Sequence, residues 1–181
     1  MNIPNLITLL RIILVPVIVI LLIQGSFFKA LIMFVIAGLS DALDGFLARY
    51  LRQQTVLGAY LDPIADKALL ASCFVTLSVL HIIPSWLAVI VISRDFIILL
   101  GIGVLSIMSI TVEIRPAFVS KITTAMQLIT VLLALSTRCF PIGVGEIWIL
   151  VAYWITAFFT ILSGLRYMMR GLELINNDTN K

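Results

Sequence analysis

Six apolar runs, at about 6–24, 27–50, 63–82, 85–110, 117–137 and 146–169, take up nearly all of the chain, and each is long enough to cross a bilayer as a helix. A chain of 181 residues that is 62% hydrophobic and only 12% charged has roughly half the charge density of a soluble domain. Its outward faces would have to be apolar, so lipid is the expected solvent. About 20 apolar residues span the hydrocarbon core as a helix, so this length accommodates about six spans with short connections. The expected fold is therefore all-α, a polytopic membrane protein with six transmembrane helices forming one domain over residues 1–181.

Turn chemistry separates the runs: Gly25-Ser26, the polar stretch Arg52-Gln53-Gln54-Thr55, Pro84, Arg115-Pro116, and Pro141 through Gly145. If the loop between the second and third spans is cytoplasmic, that side collects Arg49, Arg52, Lys67, Arg115, Arg166, Arg170 and Lys181. The other side holds little beyond Lys29 and Arg138. The positive-inside rule then puts both termini in the cytoplasm, and the expected location is a cell inner membrane. The first 24 residues lack the early positive charge and small-residue cleavage pattern of a signal peptide, so they are expected to stay in the protein, with Arg11 near an interfacial first turn. The tail from Asn176 to Lys181 is polar and expected to fray.

The net charge of +3 is small and implies no nucleic-acid partner. Cys73 and Cys139 fall in different runs, with no zinc-type spacing, and read as packing residues. His81 reads as a solvated residue at a span end, Gly101 and Gly103 as sites of close helix packing, and Trp86, Trp148, Tyr153 and Trp154 as interfacial belts.

Of nine acidic residues, four lie at the ends of two consecutive spans: Asp41, Asp44, Asp62 and Asp66. An acid at membrane depth is costly unless it is paired, hydrated or bound to a cation. Asp41 and Asp44 are three apart and Asp62 and Asp66 four apart, so each pair projects from one helix face. Four carboxylates converging on one point repel each other unless divalent cations sit between them, and an all-oxygen set favours Mg²⁺, Mn²⁺ or Ca²⁺ over zinc. Gly45 and Ala48 leave the face around Asp44 bare, and Arg49 adds a planar fork suited to phosphate oxygens. Gly58 stands one turn before Asp62, where a missing side chain lets a ligand or helix approach. Asp62-Pro63 reads as a helix start.

The string Asp41-Ala-Leu-Asp44-Gly45-Phe-Leu-Ala48-Arg49, eight further residues, and Gly58-Ala-Tyr-Leu-Asp62-Pro-Ile-Ala-Asp66 resembles the D-x2-D-G-x2-A-R-x8-G-x3-D-x3-D signature of the CDP-alcohol phosphatidyltransferases at every specified position. The resemblance implies six transmembrane helices with the motif on the second and third, a homodimer, and two Mg²⁺ or Mn²⁺ ions. It further implies that Asp41, Asp44, Asp62 and Asp66 form the metal site and that Asp66 is the general base. Asp41, Asp44, Gly45, Ala48, Arg49, Gly58 and Asp62 would bind CDP-diacylglycerol.

The acceptor is less sharply encoded. Arg94-Asp95 reads either as a buried ion pair or as part of an acceptor site. Lys121 and Arg166 read either as positive-inside anchors or as ligands of an acceptor phosphate. The opening Asn2-Ile-Pro-Asn5-Leu-Ile-Thr-Leu-Leu-Arg11 is similar to both phosphatidylglycerophosphate synthases and cardiolipin synthases. Ile92-Ser93-Arg94-Asp95 and the stretch Pro116 to Gln127 resemble the eukaryotic-type cardiolipin synthases, which favours phosphatidylglycerol over glycerol 3-phosphate as acceptor. Two other readings stand beside this one: a membrane prenyltransferase, which also sets aspartates and Mg²⁺ against a pyrophosphate, and an ion transporter or channel using intramembrane acids.

Overall fold

Apolar runs of this length fold as helices, and the computed structural model describes six among its residues: α1 (Ile3–Ile23), α2 (Phe27–Leu51), α3 (Val56–Val79), α4 (Ser85–Ile107), α5 (Phe118–Cys139) and α6 (Glu146–Thr179). The backbone is described for residues 3–51, 56–107, 118–140 and 146–179, and the side chains for 8–40, 64–101, 103, 119–140 and 147–171. No strand occurs among the described residues. Val119–Cys139 and Ile147–Gly171 are long and apolar enough to cross a membrane, while Thr8–Ile23 and Phe27–Ser40 are shorter apolar stretches.

Two boundaries differ from the sequence reading. α3 starts at Val56 and runs through Pro63, so Pro63 is an interior residue rather than the first of its helix. Proline deletes one backbone bond there, which membrane helices tolerate where neighbours re-satisfy the freed carbonyl. α1 likewise continues through Pro16. At the other end of the chain, α6 stays helical to Thr179, past the point where fraying was expected.

The chain divides into two compact units, Met1–Ser85 with Val131–Val144, and Trp86–Thr130 with Gly145–Lys181. In the first, α1 packs against both α2 and α3. Its buried stripe, Thr8, Arg11, Ile18 and Leu22, keeps helical spacing, as does Ala30, Phe34 and Ala37 on α2. Leu69, Leu70, Cys73, Phe74 and Leu77 of α3 supply most of the remaining core, joined by Val131, Ala134 and Leu135. Cys73 is a packing residue, as expected. The rings of Phe28 and Phe140 meet edge to face, centroids 6.2 Å apart.

The second unit has an unusual interior. α4 buries Leu87, Val91, Arg94 and Ile98, and the seam between α5 and α6 is lined by hydroxyls and an amide. Thr130 and Thr156 share a hydrogen bond of 2.7 Å; Gln127 donates to Thr160 Oγ1 at 3.5 Å; Thr123 donates to the carbonyl of Phe159 at 3.0 Å. Thr123, Gln127, Thr130, Thr156, Thr160 and Ser163 are all buried. The outward face of α6 carries Ile147, Trp148, Leu150, Trp154, Phe158, Leu165 and Met169, each more than half exposed. Polar inside and apolar outside is the arrangement of a helix pair whose solvent is hydrocarbon. Tyr153 is only 7% exposed and belongs to this core rather than to an aromatic belt, whereas Trp86 and Trp154 are exposed and stack at 5.2 Å. Among the described residues nothing stands against Gly101 or Gly103 where a Cβ would be, so the close packing expected there is not seen. Gly164 does: a Cβ there would meet the Arg94 stem at 3.6 Å.

α1 and α3 end in the same way. The Ser26 N–H bonds the Leu21 carbonyl at 2.9 Å and the Gly25 N–H bonds that of Leu22 at 3.0 Å; Ile82 bonds Leu77 at 2.9 Å and His81 bonds Ser78 at 3.0 Å. Both are Schellman caps, whose C′ residue takes a left-handed conformation. Gly25 does so at φ 72° without a side-chain clash, while His81 does so at φ 55° with one. The exposed His81 imidazole has no part in the cap, so His81→Gly is expected to stabilise the protein by about 0.5–1 kcal/mol, relieved strain outweighing the added unfolded-state entropy. Thermal unfolding in detergent measures this; a lower midpoint for the glycine variant would contradict it.

Candidate functional site

The four aspartates stand on consecutive helices of the first unit, Asp41 and Asp44 near the C-terminal end of α2, Asp62 and Asp66 in the first half of α3. Asp66 is the one whose side chain the structure describes. The side chains of Asp41, Asp44, Gly45, Ala48, Arg49, Gly58 and Asp62 lie outside the described residues, so the convergence expected of them rests on their helix positions.

Asp66 has a partner that the sequence reading missed. Arg11, on the buried stripe of α1, donates from Nη1 to Asp66 Oδ1. The Arg11 side chain is wholly buried, while that of Asp66 is 37% exposed. A cation thus reaches from the core of the first unit to a carboxylate at its edge. It supplies positive charge beside one member of the acid set, and it orients that carboxylate through a directional, charge-assisted bond. The sequence signal was present, since an arginine interrupting an apolar run must be paired somewhere. Its partner is 55 residues away, and a reading limited to helical neighbours could not name it.

The three cations proposed from sequence for an acceptor are all described and all belong to the second unit. Lys121 and Arg166 are exposed, and Arg94 is buried at 6% exposure. Arg94 donates from Nη1 to Asp95 at 2.6 Å, and from Nη2 to Ser120 Oγ and Ser163 Oγ, both at 2.8 Å. The Arg94-Asp95 pair seen in the sequence is therefore real as a side-chain contact. Ser120 and Ser163, which the sequence reading assigned no role, complete its surroundings.

The profile of the family described as CDP-alcohol phosphatidyltransferase matches residues 1–162. Human cardiolipin synthase (CMP-forming) is 34% identical, over 96% of this chain and 63% of its own length. The Bacillus subtilis CDP-diacylglycerol–glycerol-3-phosphate 3-phosphatidyltransferase is 32% identical, over 96% of this chain and 97% of its own. The Haemophilus influenzae protein of the same name is 46% identical over 54% of this chain and 55% of its own. The chain thus spans under two thirds of the human relative and nearly all of the Bacillus one.

The unequal burial of Arg11 and Asp66 predicts an asymmetry in stability. Asp66→Ala withdraws a counter-charge from a guanidinium that water cannot reach, a change on the order of 3 kcal/mol or more. Arg11→Met leaves behind a carboxylate that water can partly solvate, and methionine fills most of the vacated stem. Asp66→Ala is therefore expected to lower the unfolding midpoint further than Arg11→Met does, as read by thermal unfolding of the two purified variants. The opposite order would show that the pair contributes little to packing.

Proposed function

Because the chain belongs to the CDP-alcohol phosphatidyltransferase family, we propose that it moves a phosphatidyl group from CDP-diacylglycerol to a glycerol-type hydroxyl and releases CMP, in phosphatidylglycerol and cardiolipin synthesis. The observation that carries this reading is the complete eight-residue signature from Asp41 to Asp66, set on two consecutive helices. The inward polar seam and outward apolar faces support an integral membrane protein. The reading takes residues 1–181 as one transferase domain of six spans, working as a homodimer, with termini and active site on the cytoplasmic side of an inner membrane.

Four aspartates are a donor set suited to hard divalent cations, and Asp66, partly exposed and already oriented by Arg11, fits a place at the edge of such a site. Asp41, Asp44, Asp62 and Asp66 would hold two Mg²⁺ or Mn²⁺ ions, which would supply charge stabilisation for the phosphoryl oxygens. Asp41, Asp44, Gly45, Ala48, Arg49, Gly58 and Asp62 bind the cytidine nucleotide and its pyrophosphate, with Arg49 as the fork for phosphate oxygens. Asp66 takes the proton from the attacking hydroxyl. The new bond forms to the phosphorus that carries the diacylglycerol, and the bond from that phosphorus to CMP breaks. Arg94, Lys121 and Arg166 form the acceptor site.

Phosphatidylglycerol is the proposed acceptor, on the strength of the Arg94-Asp95 pair and the stretch from Pro116 to Gln127. Glycerol 3-phosphate is the second reading, favoured by the near-complete coverage of the Bacillus enzyme, whose name specifies that acceptor. Purified protein given CDP-diacylglycerol and each acceptor in turn is expected to release CMP and form cardiolipin from phosphatidylglycerol, with the lipid identified by mass spectrometry. Phosphatidylglycerophosphate as the main product would establish the second reading, and no CMP with either acceptor would overturn both. Chelation should abolish turnover and Mg²⁺ or Mn²⁺ restore it.

The roles of Asp62 and Asp66 are separable by substitution. Asp66→Asn keeps a hydrogen-bond acceptor for Arg11 but no longer takes a proton. It should lower kcat by roughly a hundredfold or more while retaining CDP-diacylglycerol binding. Asp62→Asn should lose binding as well. Equal loss of donor binding in both variants would contradict the assigned roles.

A further inference from the structure

Arg94 shares the buried face of α4 with Leu87, Val91 and Ile98, and its guanidinium is held by oxygens from three helices: Asp95 on α4, Ser120 on α5 and Ser163 on α6. Its stem lies against the bare backbone of Gly164. Only Nε lacks a hydrogen-bond partner among the described residues, and that atom is buried. The three oxygens therefore take up both Nη groups.

The two serines stand next to the other acceptor cations in the chain. Lys121 directly follows Ser120, and Arg166 comes three residues, close to one helical turn, after Ser163. Both are exposed where Arg94 is not. We propose that Arg94 is a positioning residue, joining α5 to α6 through Ser120 and Ser163 and so setting the separation of Lys121 and Arg166, which contact the acceptor phosphate. This rests on the acceptor site proposed above.

Only a planar fork can serve both serines and Asp95 together; an ammonium at the same place keeps the charge and loses the geometry. Inside a lipid-facing bundle no water replaces a lost hydroxyl partner, so helix register responds to each deletion.

The test measures kcat and both Michaelis constants for Lys121→Ala, Ser120→Ala, Ser163→Ala, the double serine variant and Arg94→Lys. The serine deletions are small and leave every charge in place, so they avoid the misfolding expected of an Arg94 deletion. Lys121→Ala should raise the acceptor KM about tenfold. Each serine variant should raise it roughly threefold and the double variant about tenfold, with donor KM and kcat unchanged. Arg94→Lys should match the double variant, and adding the serine deletions to it should have little further effect.

A direct ligand behaves differently. If Arg94 gripped the acceptor itself, freeing its fork from the serines would leave the acceptor KM unchanged or lower it, and Arg94→Lys would keep much of the affinity. Either result, with Lys121→Ala still impaired, overturns the positioning role and leaves the acceptor site standing. An unaffected Lys121→Ala removes the acceptor site and this role with it. A parallel rise in donor KM would mark general loss of structure and also overturns it.

Discussion

In the bilayer proposed above, a polar group within the helices has to look for its partner inside the protein, because hydrocarbon offers none. That constraint accounts for the features that distinguish the structure. Arg11 reaches from α1 to Asp66 on α3. Arg94 gathers Asp95, Ser120 and Ser163. Threonines also bond back to their own helix, as Thr76 does to the carbonyl of Ser72 at 2.7 Å and Thr124 to that of Ser120 at 3.1 Å. In water such bonds would be minor contributions to stability. In the proposed bilayer, those that cross between helices decide which helix faces which.

The two buried arginines solve the same problem with different results. Arg11 meets a carboxylate that is partly exposed, so its charge is delivered to the edge of the first unit, where the proposed chemistry lies. Arg94 meets a carboxylate that is itself only 14% exposed and two neutral hydroxyls, so its charge stays within the second unit. An arginine of the first kind orients a partly exposed carboxylate. One of the second kind serves the geometry of its surroundings.

What could be read in advance follows from the range of the forces involved. Helix positions depend on local apolarity, and the six runs match six helices to within a few residues at most ends. The start of α3 was misplaced because proline was read as a helix start, although the apolar residues from Val56 to Leu61 extend the helix upstream of it. The aspartates could be singled out as candidates because their spacing of three and four is itself a helical property. Arg11 with Asp66, and Arg94 with its serines, were not, since each partnership crosses helices and no local period encodes it. Gly101 and Gly103 were assigned to packing that Gly164 performs. A glycine's composition is visible in the sequence, but what stands opposite it is not.

The seam between α5 and α6 has a property that its hydrogen bonds do not show one at a time. Its polar positions fall at 120, 123, 127 and 130 on one helix and at 156, 160 and 163 on the other, running in opposite directions. The intervals alternate between three and four residues, so the two rows mesh like the scales of a vernier. Sliding one helix by a full turn would bring some hydroxyls opposite aliphatic side chains and leave others facing nothing. Such a pair has a single home position. The acceptor site proposed for Lys121 and Arg166, on two separate helices, would thereby gain an alignment mark in the interior of the helix pair.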